Sequence, residues 1–252
     1  MPQVTNDEAD ELVRADEAFS GNRLLSTFPR EARALIEPAG EMIELATGEI
    51  VLSHGAEVRA SLFPVGPTMV SLTVELSGER SAEVASIGRE GAVGGIVSCG
   101  HAPAFSRAEV LVGGPAFRVP MDALEDAKNR SSFIGNLFCR YSDYLLATVM
   151  QSVVCNAFHS IPERAARWLL HAQDRAGDRI ELTQEAFAGL LGVQRTTVNA
   201  VVQNLSSEGL VSTGRGKIQV VDRPGLKRRA CECYDRLGEH FGAVIGSTGV
   251  GG

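Results

Sequence analysis

Leu182-Thr183-Gln184-Glu185-Ala186-Phe187-Ala188-Gly189-Leu190-Leu191-Gly192-Val193 opens with a helix start and closes with a helix stop. Thr183 is a favourable N-cap, and Leu182 before it and Phe187 four positions after it form a hydrophobic staple. Gly192 ends this short helix. Gln194 to Ser206 then reads as a second helix, whose apolar residues Val198, Val201, Val202 and Leu205 follow i, i+3, i+4, i+7 spacing and define one buried stripe. At about 100° per residue, Thr196 lies roughly 170° from the stripe centre, Gln203 roughly 150°, Asn199 roughly 110° and Arg195 roughly 70°. Beyond this helix, Gly209 to Thr213 and Lys217 to Val221 read as two strands joined by Gly214-Arg215-Gly216, a hairpin with a basic tip.

A short helix, a turn, a second helix and a basic hairpin in one run suit the major groove of duplex DNA. Arginine can reach guanine O6/N7 or a phosphate, and asparagine or glutamine can pair with adenine. The candidate DNA-contacting residues are Thr183, Gln184, Arg195, Thr196, Thr197, Asn199, Gln203, Arg215 and Lys217. Arg215 and Lys217 are expected on phosphates, which set register rather than sequence. The alternative is a ligand-sensing or protein-interaction module whose helix-turn-helix does not read DNA specifically.

Upstream, Ser160 can cap a helix that has Pro162 in its first turn. Before it, residues 131–157 contain no proline and a single glycine, and Ile134, Phe138, Tyr141, Leu145, Thr148 and Ser152 recur at 4-3-4-3-4 spacing. The spacing predicts one helix of about 27 residues, roughly 40 Å long. Such a stripe often packs on its own copy across a two-fold axis, which makes Ile134, Phe138, Tyr141, Leu145 and Thr148 the expected dimer interface. A helix lying on its own β domain is the other reading. Earlier still, from about Glu41 to Pro120, short alternating runs such as Ile50–Leu52, Met69–Leu76, Glu83–Ile87 and Ala108–Val112 are separated by glycine and proline, as in a β-sandwich or roll.

The net charge of −7 is unevenly spread: from Ser160 onward 12 basic residues face 10 acidic ones, against 12 and 21 before it. A mildly basic C-terminal unit on an acidic body is compatible with one DNA-facing end. The acidic N-terminus lacks the layout of a secretory signal, and no apolar run approaches the ~18 residues of a membrane helix. The expectation is a cytoplasmic protein with no membrane partner. Five irregularly spaced cysteines are a poor disulfide framework. No phosphate-binding Gly-Lys-Ser/Thr loop, H-E-x-x-H or nucleophile elbow is present, so an enzyme is not expected and no catalytic residue is assigned.

The run LTQEAFAGLLGVQRTTVNAVVQNLSSEGLV…GRGKIQVVDRPGL, from Leu182 to Leu226, resembles the Crp/Fnr family of bacterial transcription regulators. Ala230-Cys231-Glu232-Cys233-Tyr234 and the IGREGAVGG run from Ile87 are similar to a proteobacterial branch without an assigned effector. The resemblance implies an α+β chain with an N-terminal cyclic-nucleotide-binding-like β-roll, a long dimerisation helix and a C-terminal winged helix-turn-helix. The matching boundaries are 1–20 for a disordered lead-in, 21–128 for the roll, 129–158 for the long helix, 159–240 for the DNA-binding domain and 241–252 for a flexible tail. It further implies a homodimer on a pseudo-palindromic operator, with RNA polymerase as another partner.

Two places depart from the family pattern. Where cyclic-AMP-binding members carry a Gly-Glu pair and an Arg-Ser/Thr pair, this chain has Gly94-Gly95 and Ser106-Arg107. Gly91, Gly94, Gly95, Ser106 and Arg107 are the candidate effector pocket, but control by cyclic AMP is not expected, because a buried cyclic phosphate needs a charge-assisted arginine clamp. In the recognition helix, Arg195-Thr196-Thr197-Val198-Asn199-Ala200 stands where Arg-Glu-Thr-Val-x-Arg is frequent. The iron–sulfur cluster of oxygen-sensing relatives is not expected, since no cysteine precedes Cys99. Cys231-x-Cys233 can bind a metal or respond to oxidation, but the pair reads as ordinary helix residues, and His101 near Cys99 as a loop residue. No metal and no cofactor are expected.

Overall fold

The computed structural model describes residues 16–77, 80–96 and 102–246. A helix α1 (Arg30–Ile36) leads into seven antiparallel strands: β1 (Glu41–Leu45), β2 (Ile50–Leu52), β3 (Ala60–Pro64), β4 (Met69–Leu76), β5 (Arg80–Ile87), β6 (Arg107–Val112) and β7 (Gly114–Pro120). They form two sheets, ordered β1-β7-β3 and β2-β6-β4-β5. The strand period of two sorts the side chains. On β6, Ala108 and Val110 point into a core shared with Leu45, Leu62, Val70 and Ile87, while Arg107 and Glu109 point the other way. Ile50–Leu52, Met69–Leu76 and Ala108–Val112 are strands as their alternation predicted; β1, β3 and β7 lay within the expected β region without being singled out.

Helices α2 (Met121–Arg130) and α3 (Ser132–Phe158) follow directly. Ser131 separates them: its backbone is extended and its side chain accepts from the Ile134 N–H, capping α3. The expected helix of about 27 residues is α3, and the β-roll ends in a helix that the pattern did not announce. Beyond α4 (Ile161–Ala176) come β8 (Arg179–Ile180), α5 (Gln184–Leu191), α6 (Arg195–Ser207), the hairpin β9 (Val211–Gly214) and β10 (Lys217–Val220), then α7 (Arg223–Arg229) and α8 (Cys233–Ile245). Glu163 accepts from the Ser160 N–H at 2.8 Å, closing a capping box at the start of α4.

Both ends of the chain differ from the sequence expectation. Residues 16–20, assigned to a disordered lead-in, are helical, with Ala18 and Phe19 buried against Leu24, Ile36 and Phe117. Residues 241–245, assigned to a tail, complete α8, which lies along α3 and buries Phe241 and Ile245 in the same core. The rings of Tyr144 and Phe241 meet edge-to-face, 5.1 Å between centroids. The period of α8 was legible only once Cys233, Leu237 and Phe241 were read as one buried stripe.

Two buried carboxylates join the roll to α4. Glu83 on β5 accepts from Ser71 Oγ and from Trp168 Nε1, each at 2.8 Å. Glu90, in the loop after β5, accepts from Arg175 Nε at 2.8 Å and Nη2 at 2.6 Å. Gly88 makes room for this approach: a Cβ there would lie 2.7 Å from Arg175 Cγ and Cδ.

Candidate nucleic-acid interface

Thr183 accepts from the Ala186 N–H at 3.1 Å and starts α5; Gly192, at φ 67°, ends it in the left-handed conformation. Leu182 and Phe187 are buried in one cluster with Trp168, whose ring centroid lies 5.1 Å from that of Phe187. Arg164 Nη2 donates to the Leu191 carbonyl at 2.8 Å and so ties α4 to the end of α5. On α6, Val198, Val201, Val202 and Leu205 are all buried, as their spacing predicted. The opposite face is open. Arg195, Thr196, Thr197 and Gln203 are exposed, and Asn199 is half-buried at the edge.

The hairpin turns over two residues, Arg215 and Gly216, with Gly214 paired to Lys217 and Gly216 at φ 72°. It folds back over the start of α5. Thr183, Gln184, Arg195, Gly214, Gly216 and Lys217 together line a concavity of about 210 Å³. Four sequence-predicted residues thus converge on one groove, with the exposed face of α6 beside it and Arg215 at the hairpin tip. The sequence did not single out Glu185, whose carboxylate stands 3.4 Å from the Arg195 guanidinium with both side chains largely exposed. An exposed pair of this kind is weak, so Arg195 can exchange it for a phosphate at little cost.

The candidate effector residues are not brought together. A cavity of about 340 Å³ does lie between the sheets, lined by Leu52, Arg59, Leu62, Val93, Gly94 and Arg118 among others, but neither Ser106 nor Arg107 lines it. Arg107 sits on the outer face of β6, between Glu75 at 3.2 Å and Glu109 at 2.8 Å. Its position on the strand explains this: an even offset from Glu109 places the two on one face, opposite Ala108 and Val110. Gly91 serves packing, since a Cβ there would collide with the Tyr141 hydroxyl, which accepts from the Ala92 N–H at 2.9 Å. Gly95 similarly abuts Met121.

The stripe expected at a dimer interface is turned inward. Ile134, Phe138, Tyr141 and Thr148 are buried within the protomer and Leu145 is half-buried, because this face of α3 packs on the roll and on α8. Leu146, Val149, Met150 and Val153 flank that stripe on another side of α3, and all are exposed. Cys231 and Cys233, read as ordinary helix residues, meet Cys155 and His159. Cys99 and His101 lie outside the described residues. No helix among the described residues is long and apolar enough to cross a membrane.

Residues 163–229 match the Crp-like helix-turn-helix domain. The HTH-type transcriptional regulator Cmr of Mycobacterium tuberculosis (strain CDC 1551 / Oshkosh) is 37% identical over 71 residues, a stretch that spans 28% of this chain and 28% of Cmr. The structure of FixK2 from Bradyrhizobium japonicum superimposes with a TM-score of 0.64 at 17% identity, covering 76% of this chain and 98% of FixK2. TTHA1359, a CRP/FNR-family transcriptional regulator from Thermus thermophilus, gives 0.60 at 20% identity, covering 75% and 98%. This chain carries a Crp-like helix-turn-helix domain on the Crp/Fnr fold. The family match in sequence covers residues 163–229, whereas the similarity in fold extends over about three quarters of the chain. Cmr and TTHA1359 are transcriptional regulators.

Proposed function

We propose that the chain is a homodimeric, sequence-specific DNA-binding transcription regulator of the Crp/Fnr type, with α6 in the major groove and the hairpin on phosphate. The observation that carries this reading is the convergence of Thr183, Gln184, Arg195 and Lys217 around one groove beside the open face of α6. Arg195 and Lys217 supply charge there, and the start of α5 adds backbone N–H groups beside them. Thr196, Thr197, Asn199 and Gln203 supply the neutral donors and acceptors for base edges. The dimer forms through the exposed seam of α3, where Leu146, Met150 and Val153 repeat at the 4-3 spacing of a coiled coil. Two recognition helices related by a two-fold axis then meet a pseudo-palindrome, and such a regulator works in the cytoplasm with RNA polymerase as a further partner.

Control by cyclic AMP is not part of this proposal. The arginine nearest the family's phosphate clamp is held outside the roll by Glu75 and Glu109, so no clamp faces the cavity from β6.

Arg195→Ala tests the reading. Its expected effect is a loss of about 10- to 100-fold in affinity for the preferred duplex, in line with about 1–3 kcal/mol for a base-reading arginine or a smaller loss for a phosphate contact. A plot of log affinity against log salt should be steep for the native chain, and flatter by about one unit for Lys217→Ala if that residue neutralises one phosphate. Unchanged affinity and slope in both variants would move the function away from DNA, towards a module that uses its helix-turn-helix for packing.

A further inference from the structure

Two pairs of residues far apart in sequence close on one point at the C-terminal end of α3. Cys155 and His159 stand one helical turn apart and therefore share a face. Cys231 and Cys233 precede and open α8, which the chain brings back against α3. The Sγ atoms of Cys155 and Cys231 are 3.6 Å apart, and Cys233 Sγ is 3.4 Å from His159 Nδ1. All four ligand atoms lie within 4.8 Å of one another.

We infer that Cys155, His159, Cys231 and Cys233 form a tetrahedral binding site for a thiophilic divalent cation, Zn²⁺ above all. Ligand bonds of about 2.3 Å to sulfur and about 2.0–2.1 Å to nitrogen imply edges of roughly 3.8 Å between sulfurs and roughly 3.6 Å between sulfur and nitrogen in a tetrahedron. The Cys155–Cys231 and Cys233–His159 edges, 3.6 Å and 3.4 Å, come within about 0.2 Å of these lengths. The space accommodates one ion; an iron–sulfur cluster requires thiolates spread around several metal atoms.

The surroundings are those of a metal site. His159 Nε2 lies 3.1 Å from the Glu232 carboxylate, so the ring's N–H is directed outward and the Nδ1 lone pair faces the sulfurs. Gln151 Nε2 donates to Cys233 Sγ at 2.9 Å. The three sulfurs are buried and form a cluster of their own, apart from the aliphatic cores. Three thiolates, a neutral imidazole and Zn²⁺ leave one negative charge. Arg164 and Arg167 on α4 act on Cys155 electrostatically, and the buried Nε of each has no hydrogen-bond partner among the described residues. These N–H groups suit a thiolate-rich anion better than a cluster of neutral thiols.

The site also has a mechanical consequence. His159 caps the end of α3, and α4 begins at Ile161. One ion therefore clips α8 to the hinge between the long helix and the domain that carries α5 and α6. Four protein ligands, three of them buried, fill a tetrahedron and leave no open position, which describes a structural rather than a catalytic centre. The assignment does not depend on the DNA-binding proposal, because it shares no residue with that interface.

The test uses the full chain, purified under reducing conditions, stripped with a chelator and reloaded with Zn²⁺ or Co²⁺. The site predicts one ion per chain, a Co²⁺ spectrum with tetrahedral ligand-field bands and thiolate charge transfer, and a rise in Tm on Zn²⁺ loading. Cys155→Ser and Cys231→Ser should each lower Zn²⁺ affinity at least 100-fold and abolish the Tm rise. Glu232→Gln, which keeps all four ligands, should lower affinity about 10- to 100-fold, and Cys139→Ser should change nothing. Should the serine variants misfold, the Co²⁺ spectrum and Glu232→Gln still decide the matter. The assignment is overturned by substoichiometric binding, by an octahedral Co²⁺ spectrum, by full binding in Cys155→Ser and Cys231→Ser, or by a Cys155–Cys231 disulfide forming in preference to metal uptake.

Discussion

Arg175→Met destabilises the chain by about 3–5 kcal/mol, the usual cost of leaving a buried charge without its partner. Glu90 and Arg175 are each about one-tenth exposed, so water cannot replace the lost guanidinium. At this chain length the loss corresponds to a fall in Tm of roughly 10 °C. The cost lies in the orphaned carboxylate rather than in the pair itself. Glu90→Gln combined with Arg175→Met should therefore recover most of the stability, and the double-mutant cycle reads the coupling directly. The pH dependence has a definite sign. Burial alone would raise the Glu90 carboxyl, but the charge and hydrogen bonds of Arg175 outweigh it and hold the group below its ordinary 4.5. A depressed folded-state value stabilises above the unfolded value and is lost as pH falls through the folded one. In Arg175→Met burial is opposed only by the hydrogen bonds from the Gly88 and Glu90 N–H groups, so the carboxyl rises and the deficit shrinks as the solution is acidified from neutrality. Urea titrations of both proteins at several pH values check this; a variant within about 0.5 kcal/mol of the native chain, the range of an ordinary surface change, contradicts it.

Leu146→Asp with Val153→Asp should turn the proposed dimer into monomers and lower affinity for the full duplex site by about 100-fold or more, the usual loss when two linked contacts become one. Both residues are more than half exposed on the free face of α3, so the protomer itself should unfold at nearly the native temperature. Two pairs of carboxylates brought together across a two-fold axis repel and must be desolvated, which an apolar seam tolerates poorly. Ile134→Asp is the contrasting variant. Ile134 is fully buried against the protomer's own core, and that change should unfold the protomer rather than dissociate it. Sedimentation of the three proteins separates the outcomes. A double aspartate variant that keeps the native mass and affinity would move the dimer contact off α3.

The helix-turn-helix was legible because its signals are local. The Thr183 cap, the Leu182–Phe187 staple, the Gly192 stop and the valine stripe of α6 each depend on residues within one or two turns, and the structure keeps them all. The long helix was legible in extent but not in orientation. Ile134, Phe138 and Tyr141 mark an apolar face, and periodicity cannot tell whether the roll, α8 or a second copy covers it. The C-terminal helix makes the difference, and its buried partners on α3 lie some 90 residues away, beyond the reach of a pattern read along the chain. Arg107 shows the same limit on a smaller scale: the residue type suits an anion, but the strand period turns it outward to Glu75 and Glu109. The Cys-His cluster combines both kinds of signal. The Cys155–His159 spacing and the Cys231–Cys233 spacing are each readable alone, and only the antiparallel return of α8 joins them.

Selection of duplex DNA from a randomised pool by the purified full-length chain tests the central claim most directly. The account predicts enrichment of a pseudo-palindrome whose half-sites are centred about one helical turn, roughly 10 base pairs, apart. It also predicts that Arg195→Ala weakens or relaxes that preference at one position in each half-site. A selected pool with no preference, or one lacking two-fold symmetry, would contradict the account of a dimer reading DNA through paired recognition helices.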